Sequence, residues 1–131
     1  MTIHILLVED NAICAIVEKG LFESLDCEVT IALSGEDSIT LIVDSINKKR
    51  PFDAIAMDIG LPEKSGIETC VEIRKYEAEN RTPVIPIIAV TSNADENIKE
   101  ECLSAGMSGL MPKPFSKEMA AIFLKKCHLP H

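Results

Sequence analysis

The sequence predicts an α/β protein, a doubly wound parallel sheet of five strands with a helix after each strand. Three observations carry that expectation. Short continuous apolar runs such as Ile3–Val8 and Val84–Val90 have the length and composition of buried strands. Between them lie stretches whose apolar residues recur at helical spacing. The two patterns alternate five times within 131 residues, a length that suits one domain with one core.

Ile3–Val8 is the first strand. A helix follows from about Ala12, and Ile13, Val17, Leu21 and Leu25, four residues apart, form the stripe expected to face the sheet. Glu28–Ala32 is the second strand. Ser34 and Asp37 make a capping-box-like start for a helix whose face is Ile39, Ile42, Val43 and Ile46. The third strand, Phe52–Met57, ends at Asp58, and a loop containing Gly60, Pro62 and Gly66 leads to a helix opened by Ser65 and Glu68 that runs toward Glu79. Asn80-Arg81-Thr82-Pro83 breaks that helix before the fourth strand, Val84–Val90. Pro86 belongs at the beginning of this strand because it lacks a ladder donor. A fourth helix, about Asp95 to Ser104, stops at Gly106, a natural left-handed cap. A short strand around Leu110 precedes a last helix from Ser116, with Met119, Ala120, Phe123, Leu124 and Cys127 on its inner face. Residues 1–131 read as one domain, with no linker, repeat or output domain expected within them.

Composition narrows the function. With 47% hydrophobic and 26% charged residues the chain is ordinary for a globular protein, and its net charge of −8 argues against direct binding to nucleic acid. Its apolar runs are too short to span a membrane and no secretory signal is visible, so membrane contact is not expected and the cytoplasm is the expected location. Five widely spaced cysteines, Cys14, Cys27, Cys70, Cys102 and Cys127, lack a Cys-x-x-Cys pair and read as small buried hydrophobes in a reducing compartment. His4, His128 and His131 read as incidental, and Tyr76, Phe115 and the methionines as core packing or partly exposed surface.

A sheet of this kind places its ligand site beyond the carboxyl ends of its strands, where strand order reverses. Glu9 and Asp10 follow the first strand, Asp58 the third, Thr91 the fourth and Lys113 the fifth. Three carboxylates brought together repel one another unless protons, Lys113 or a cation offset their charge. A hard divalent ion such as Mg2+, which takes oxygen ligands and keeps several waters, suits that need and leaves room for a phosphoryl oxygen. Carboxylate is itself an accepted phosphoryl acceptor, and the transfer requires little beyond in-line positioning and neutralised charge. Asp58 is the hardest of these residues to explain structurally, because it follows the buried-looking run Ala54-Ile55-Ala56-Met57 with no local partner in sequence.

Leu6-Leu7-Val8-Glu9-Asp10-Asn11, Met57-Asp58-Ile59-Gly60-Leu61-Pro62, Ala89-Val90-Thr91-Ser92 and Lys113-Pro114 together resemble the signatures of response-regulator receiver domains, across essentially the whole chain. The resemblance implies a flavodoxin-like fold with strand order 2-1-3-4-5. It implies Asp58 as phosphoacceptor, Glu9 and Asp10 as the acidic pair organising Mg2+, with Asp10 the direct ligand, and the Gly60 carbonyl as a further ligand. Thr91 would be the switch hydroxyl and Lys113 the partner of a phosphoryl oxygen, with a Lys113-Pro114 bond that is often cis and Pro112 as an extra stiffener. A histidine kinase or a histidine phosphotransfer protein is the implied partner. The surface of helix four, strand five and helix five is the implied output face and a candidate for a weak dimer. The segment from Ile73 to Ala89 resembles receivers attached to hybrid sensor histidine kinases, so an excised module is favoured over a free-standing regulator.

One position departs from the resemblance: Leu110 stands where the family usually carries an aromatic ring three residues before the lysine, which argues against coupling through a rotating ring. Two other readings are weaker. A dehalogenase-like phosphatase needs a second acid two residues after its nucleophile, and Gly60 is there instead. A degenerate receiver, acting as a phosphorylation-independent interaction module, should have lost an acidic or lysine position, and none is lost. Neither Gly-x-Gly-x-x-Gly nor a P-loop pattern is present. The chain is thus expected to be a module that catalyses its own phosphorylation and dephosphorylation rather than a free-standing enzyme.

Overall fold

The computed structural model describes residues 2–61, 63–113 and 115–129. Expectations that rest on Pro62, Pro114 and His131, the cis Lys113-Pro114 bond among them, lie outside these residues. The chain runs β1 (Ile3–Val8), α1 (Ala12–Glu23), β2 (Cys27–Ala32), α2 (Gly35–Asn47), β3 (Ala54–Asp58), α3 (Gly66–Asn80), β4 (Ile87–Thr91), α4 (Glu96–Ser104), β5 (Gly109–Pro112) and α5 (Lys117–Lys126). All strand pairs are parallel and the order is β2-β1-β3-β4-β5, so the direction of growth reverses between β1 and β3.

The continuous apolar strands are apolar because both faces are covered. Leu6, Val8, Ile55, Met57, Ile87 and Ala89 point into a cluster with Ile42, Cys70, Ile73 and Cys102 from α2, α3 and α4. Their neighbours Ile5, Leu7, Ala54, Ala56, Ile88 and Val90 point the other way, onto Ala15, Phe22, Ala120, Phe123 and Leu124 from α1 and α5. Fully burying one such aliphatic side chain stabilises the fold by about 1.5–3 kcal/mol, which makes these two layers the main stabilising term. Helix starts match their sequence signals. Asn11, Ser34, Ser65, Asp95 and Ser116 each accept a backbone N–H of the first turn, a contribution of about 1 kcal/mol apiece. Gly106 is left-handed at φ 100°, as its place after α4 requires.

Three expectations are corrected. The α1 stripe was expected at Ile13, Val17, Leu21 and Leu25, yet Ile13 and Val17 are 76% and 55% exposed, and the residues buried on the sheet are Ala15, Glu18 and Phe22. Steps of four residues overshoot a 3.6-residue turn by about 40° each, so a four-step ridge spirals across the helix while alternating three- and four-residue steps stay on one face. β4 begins at Ile87 rather than Val84. Val84 is exposed, and Pro86 precedes the strand, where its carbonyl accepts from the Ile55 N–H at 2.9 Å. In α2 the inward positions are shared by Ser38, Ile42 and Ser45. Both serine hydroxyls donate to carbonyls one turn back, while Ile39 and Ile46, partly buried, pack against the same core as expected and Val43 is partly buried.

Burial pushes the Cys70 and Cys127 thiols up to about 11, in keeping with packing roles, while Cys14 on α1 is partly exposed. His4 has structural work, with Nε2 2.9 Å from the Thr30 hydroxyl and its ring edge against Phe52. Among the described residues no helix is long and apolar enough to cross a membrane.

Candidate functional site

The carboxyl ends of β1, β3, β4 and β5 bring five sequence-distant residues together. Beyond β1, the Glu9 N–H donates to the Ala32 carbonyl at 3.0 Å, extending the ladder by one residue and turning the Glu9 side chain inward, where it is 2% exposed. Its Oε2 accepts from Lys113 Nζ at 2.8 Å and its Oε1 from the Asn11 N–H at 3.2 Å. Asn11 caps α1, its Oδ1 accepting from the N–H groups of Ile13 and Cys14. Asp10 is therefore exposed and has no capping duty.

Asp58 is the last residue of β3, opposite Val90, and is 8% exposed. Its Oδ1 accepts from the Gly60 N–H at 2.9 Å, and its Oδ2 lies 3.7 Å from Lys113 Nζ. One carboxylate oxygen from each of Glu9, Asp10 and Asp58 falls within 4.8 Å of the others. Thr91, at the end of β4, is buried. Its hydroxyl oxygen accepts from the Asn93 N–H at 3.1 Å, and its carbonyl accepts from the Lys113 N–H at 2.8 Å, fixing the lysine backbone beside it. Gly60 reaches the site through its N–H. Gly66 explains how α3 starts so near, since a Cβ there would stand 2.5 Å from the Asp58 carbonyl oxygen and 2.7 Å from the Ile59 Cα.

The electrostatics follow from three carboxylates facing one ammonium. Burial raises the Glu9 pKa, the hydrogen bond from Lys113 pulls it back and the Asp58 charge raises it again, for a net rise. Burial alone would lower the Lys113 pKa; the bond to Glu9 and the charges of Asp58, Glu9 and Glu18 outweigh it, so Lys113 stays charged well above neutrality. The donor set is all oxygen, partly open to solvent through Asp10, and carries excess negative charge. Those features fit a hard divalent cation such as Mg2+.

Glu9, Asp10, Asp58 and Lys113 thus come together, with Thr91 at the adjacent end of β4, while two features of the site escaped the sequence reading. Glu18, in the middle of α1, is 4% exposed, and burial, reinforced by the Glu9 charge, pushes its carboxyl up to about 7. Its spacing from Ala15 and Phe22 was the available signal, and the misplaced stripe hid it. The second feature is an apolar surface beside the site, made by Ile13, Ile16 and Val17, which are 76%, 67% and 55% exposed. Leu110 is half-buried in β5, paired with Ala89 and packed against the α2, α3 and α4 side of the core.

Residues 5–122 match the family model described as response regulator receiver domain. Over 115 residues, 88% of this chain, the sequence is 36% identical to hybrid signal transduction histidine kinase I of Dictyostelium discoideum, of whose length that match covers 7%. The receiver domain of the Arabidopsis thaliana histidine kinase CKI1, solved in complex with Mg2+, is 29% identical and superposes with a TM-score of 0.82 over 92% of this chain and 89% of that one. The co-crystal structure of the Saccharomyces cerevisiae histidine phosphotransfer protein Ypd1 and the receiver domain of Ssk1 contains a chain that is 26% identical, with a TM-score of 0.79 over 95% of this chain and 86% of that one.

Proposed function

This chain belongs to the response regulator receiver domain family, and we propose that it acts in a phosphorelay, with Asp58 accepting a phosphoryl group from the phosphohistidine of a partner. The observation that supports this most strongly is the meeting of Glu9, Asp10 and Asp58 oxygens within 4.8 Å, faced by Lys113 from β5.

In the transfer, a carboxylate oxygen of Asp58 forms a bond to phosphorus as the bond from phosphorus to the imidazole nitrogen breaks. The imidazole leaves with the electron pair of that bond, and an aspartyl phosphate remains. The Gly60 N–H holds Oδ1 at 2.9 Å, so the acceptor is oriented before the donor arrives. Lys113, held between Glu9 and Asp58, is within reach of a phosphoryl oxygen on Asp58 and offsets its charge. Mg2+, held by Asp10 with Glu9, Asp58 and the Gly60 carbonyl, would neutralise charge on the equatorial oxygens when bound. The Thr91 hydroxyl, which accepts from the Asn93 N–H, would turn toward the phosphoryl group. With Leu110 in the ring position, the signal passes through Thr91 and the backbone of β4 and β5 to the face of α4, β5 and α5. Loss of the phosphoryl group to water, or its onward transfer, resets the domain.

The exposed Ile13, Ile16 and Val17 give a phosphohistidine-bearing partner an apolar surface next to the acceptor. A histidine kinase or a histidine phosphotransfer protein fits this role, and the favoured context is a module of a hybrid sensor histidine kinase.

Intact-mass measurement after incubation with acetyl phosphate and Mg2+ tests the reading. One added phosphoryl group is expected on the wild type and none on Asp58→Asn or when Mg2+ is replaced by EDTA. An adduct that survives in Asp58→Asn would overturn the assignment.

A further inference from the structure

Between α1 and the start of α5, beside the phosphoryl site, lies a cavity of about 180 Å³ lined by Ile13, Cys14, Val17, Glu18, Lys113 and Phe115. An apolar cavity of about 150 Å³ is enough to admit benzene, so this one has room for the outer part of a single side chain. Its walls are mainly apolar, but one wall residue is an acid. Glu18 is 4% exposed, its oxygens keep only slight contact with solvent, and no hydrogen bond or ion pair from the described residues reaches its side chain. A buried carboxylate without a donor is costly, and the positions before and after it on the same helix face, Ala15 and Phe22, are apolar. Packing alone would be better served by a residue of that kind.

Lys113 does not answer the need, because its ammonium is bonded to Glu9 at 2.8 Å and faces Asp58 at 3.7 Å. The charge around the mouth decides which donor would enter. Glu9, Asp10, Asp58 and Glu18 stand against one lysine in a chain of net charge −8, so an anion is repelled and a cation attracted. A long apolar stem with a weakly hydrated, multiply donating head matches apolar walls with an acceptor among them, and arginine has both.

We propose that this cavity receives one arginine side chain of the docking partner and that Glu18 accepts from its guanidinium, which makes Glu18 a determinant of partner choice. The proposal rests on the reading that a phosphohistidine-bearing partner docks over α1, and it adds the chemistry by which one such partner is preferred. Because Lys113 borders both the cavity and the Asp58 carboxylate, a seated arginine and the phosphoryl group would share one wall of the site.

Side-chain analogues test it on the protein as it stands. In a titration at pH 8, where Glu18 is ionised, followed by the methyl signals of Ile13 and Val17, n-butylguanidinium should bind in the millimolar range, about tenfold more tightly than butan-1-ol, the gain expected of a charge-assisted hydrogen bond. Butyrate should bind more weakly still. In Glu18→Gln, nearly isosteric, the preference for n-butylguanidinium should fall to within about twofold; Ile13→Asp, on the exposed rim, should weaken butan-1-ol and leave the order of preference unchanged. No binding of n-butylguanidinium, equal binding of all three probes, or a preference that survives in Glu18→Gln would each overturn the proposal. Acetyl phosphate labelling of Asp58 in parallel keeps the two ideas separate, since a failure to label removes the phosphoacceptor reading while the titration still decides the cavity.

Discussion

Replacing Glu18 with Gln should stabilise the protein at pH 8 and change it little at pH 4.5. Burial and the Glu9 charge raise this carboxyl from its ordinary value of 4.5 to about 7, so between those two pH values the folded protein holds a proton that the unfolded chain has released. The folded-state value is the higher one. Wild-type stability is therefore unaffected by this group below pH 4.5 and falls as pH rises toward 7, after which the loss is constant. Each pH unit of that window corresponds to about 1.4 kcal/mol, which sets a ceiling of about 3.5 kcal/mol on the loss. Glutamine keeps the shape and cannot ionise, so it removes the loss. Urea unfolding of both proteins in EDTA, at half-unit steps from pH 4.5 to 8, should show the mutant gaining stability relative to wild type by about 2–3 kcal/mol across the range. The comparison is made at each pH, so carboxylates common to both proteins largely cancel. A difference that does not change with pH, or a mutant that is less stable at pH 8, would show that Glu18 is ionised and satisfied in the folded state.

Lys113 and Gly66 stand beside Asp58, and Glu77 lies toward the opposite end of the sheet. Lys113→Met removes the hydrogen bond to Glu9 and leaves a carboxylate that is 2% exposed without its cation; a loss of about 1–3 kcal/mol in urea unfolding is expected, together with slower labelling of Asp58 by acetyl phosphate. Gly66→Ala brings a Cβ against the Asp58 carbonyl oxygen at 2.5 Å, so it should destabilise by at least about 1–3 kcal/mol and reduce Asp58 labelling, whereas unchanged melting and labelling would mean the backbone relaxes freely there. Glu77→Ala strips the buried acceptor that holds Arg74 and the Ile85 N–H, each at 2.8 Å. It should cost about 3–5 kcal/mol by thermal or urea unfolding while leaving the mass shift on Asp58 intact in whatever fraction remains folded.

How far the sequence could be read differs from element to element, for physical reasons. The strands were legible because a parallel sheet covered on both faces turns each strand into an uninterrupted apolar run, and the helix starts were legible because each cap is a local hydrogen bond written in two or three residues. The acids of the candidate site were legible for the same reason. Each stands directly after a recognisable strand, and parallel strands must deliver their carboxyl ends to one edge of the sheet. Which face of α1 turns inward was not legible. Four apolar residues at four-residue steps and the line through Ala15, Glu18 and Phe22 are both consistent with one helix, and only packing against β1, β3 and α5 selects between them.

What the sequence determined by itself is therefore the order of the elements, the edge at which the candidate site forms, and Asp58 as one of the acids delivered to it. The tertiary structure decided what surrounds that acid: the 2.8 Å bond that commits Lys113 to Glu9, the Gly60 N–H on Oδ1, the burial of Glu18 and the exposure of Ile13 and Val17. Strand ends are dictated by local runs of side chains, whereas burial and partner choice depend on segments as much as 104 residues apart, and nothing in one segment records where the other will lie.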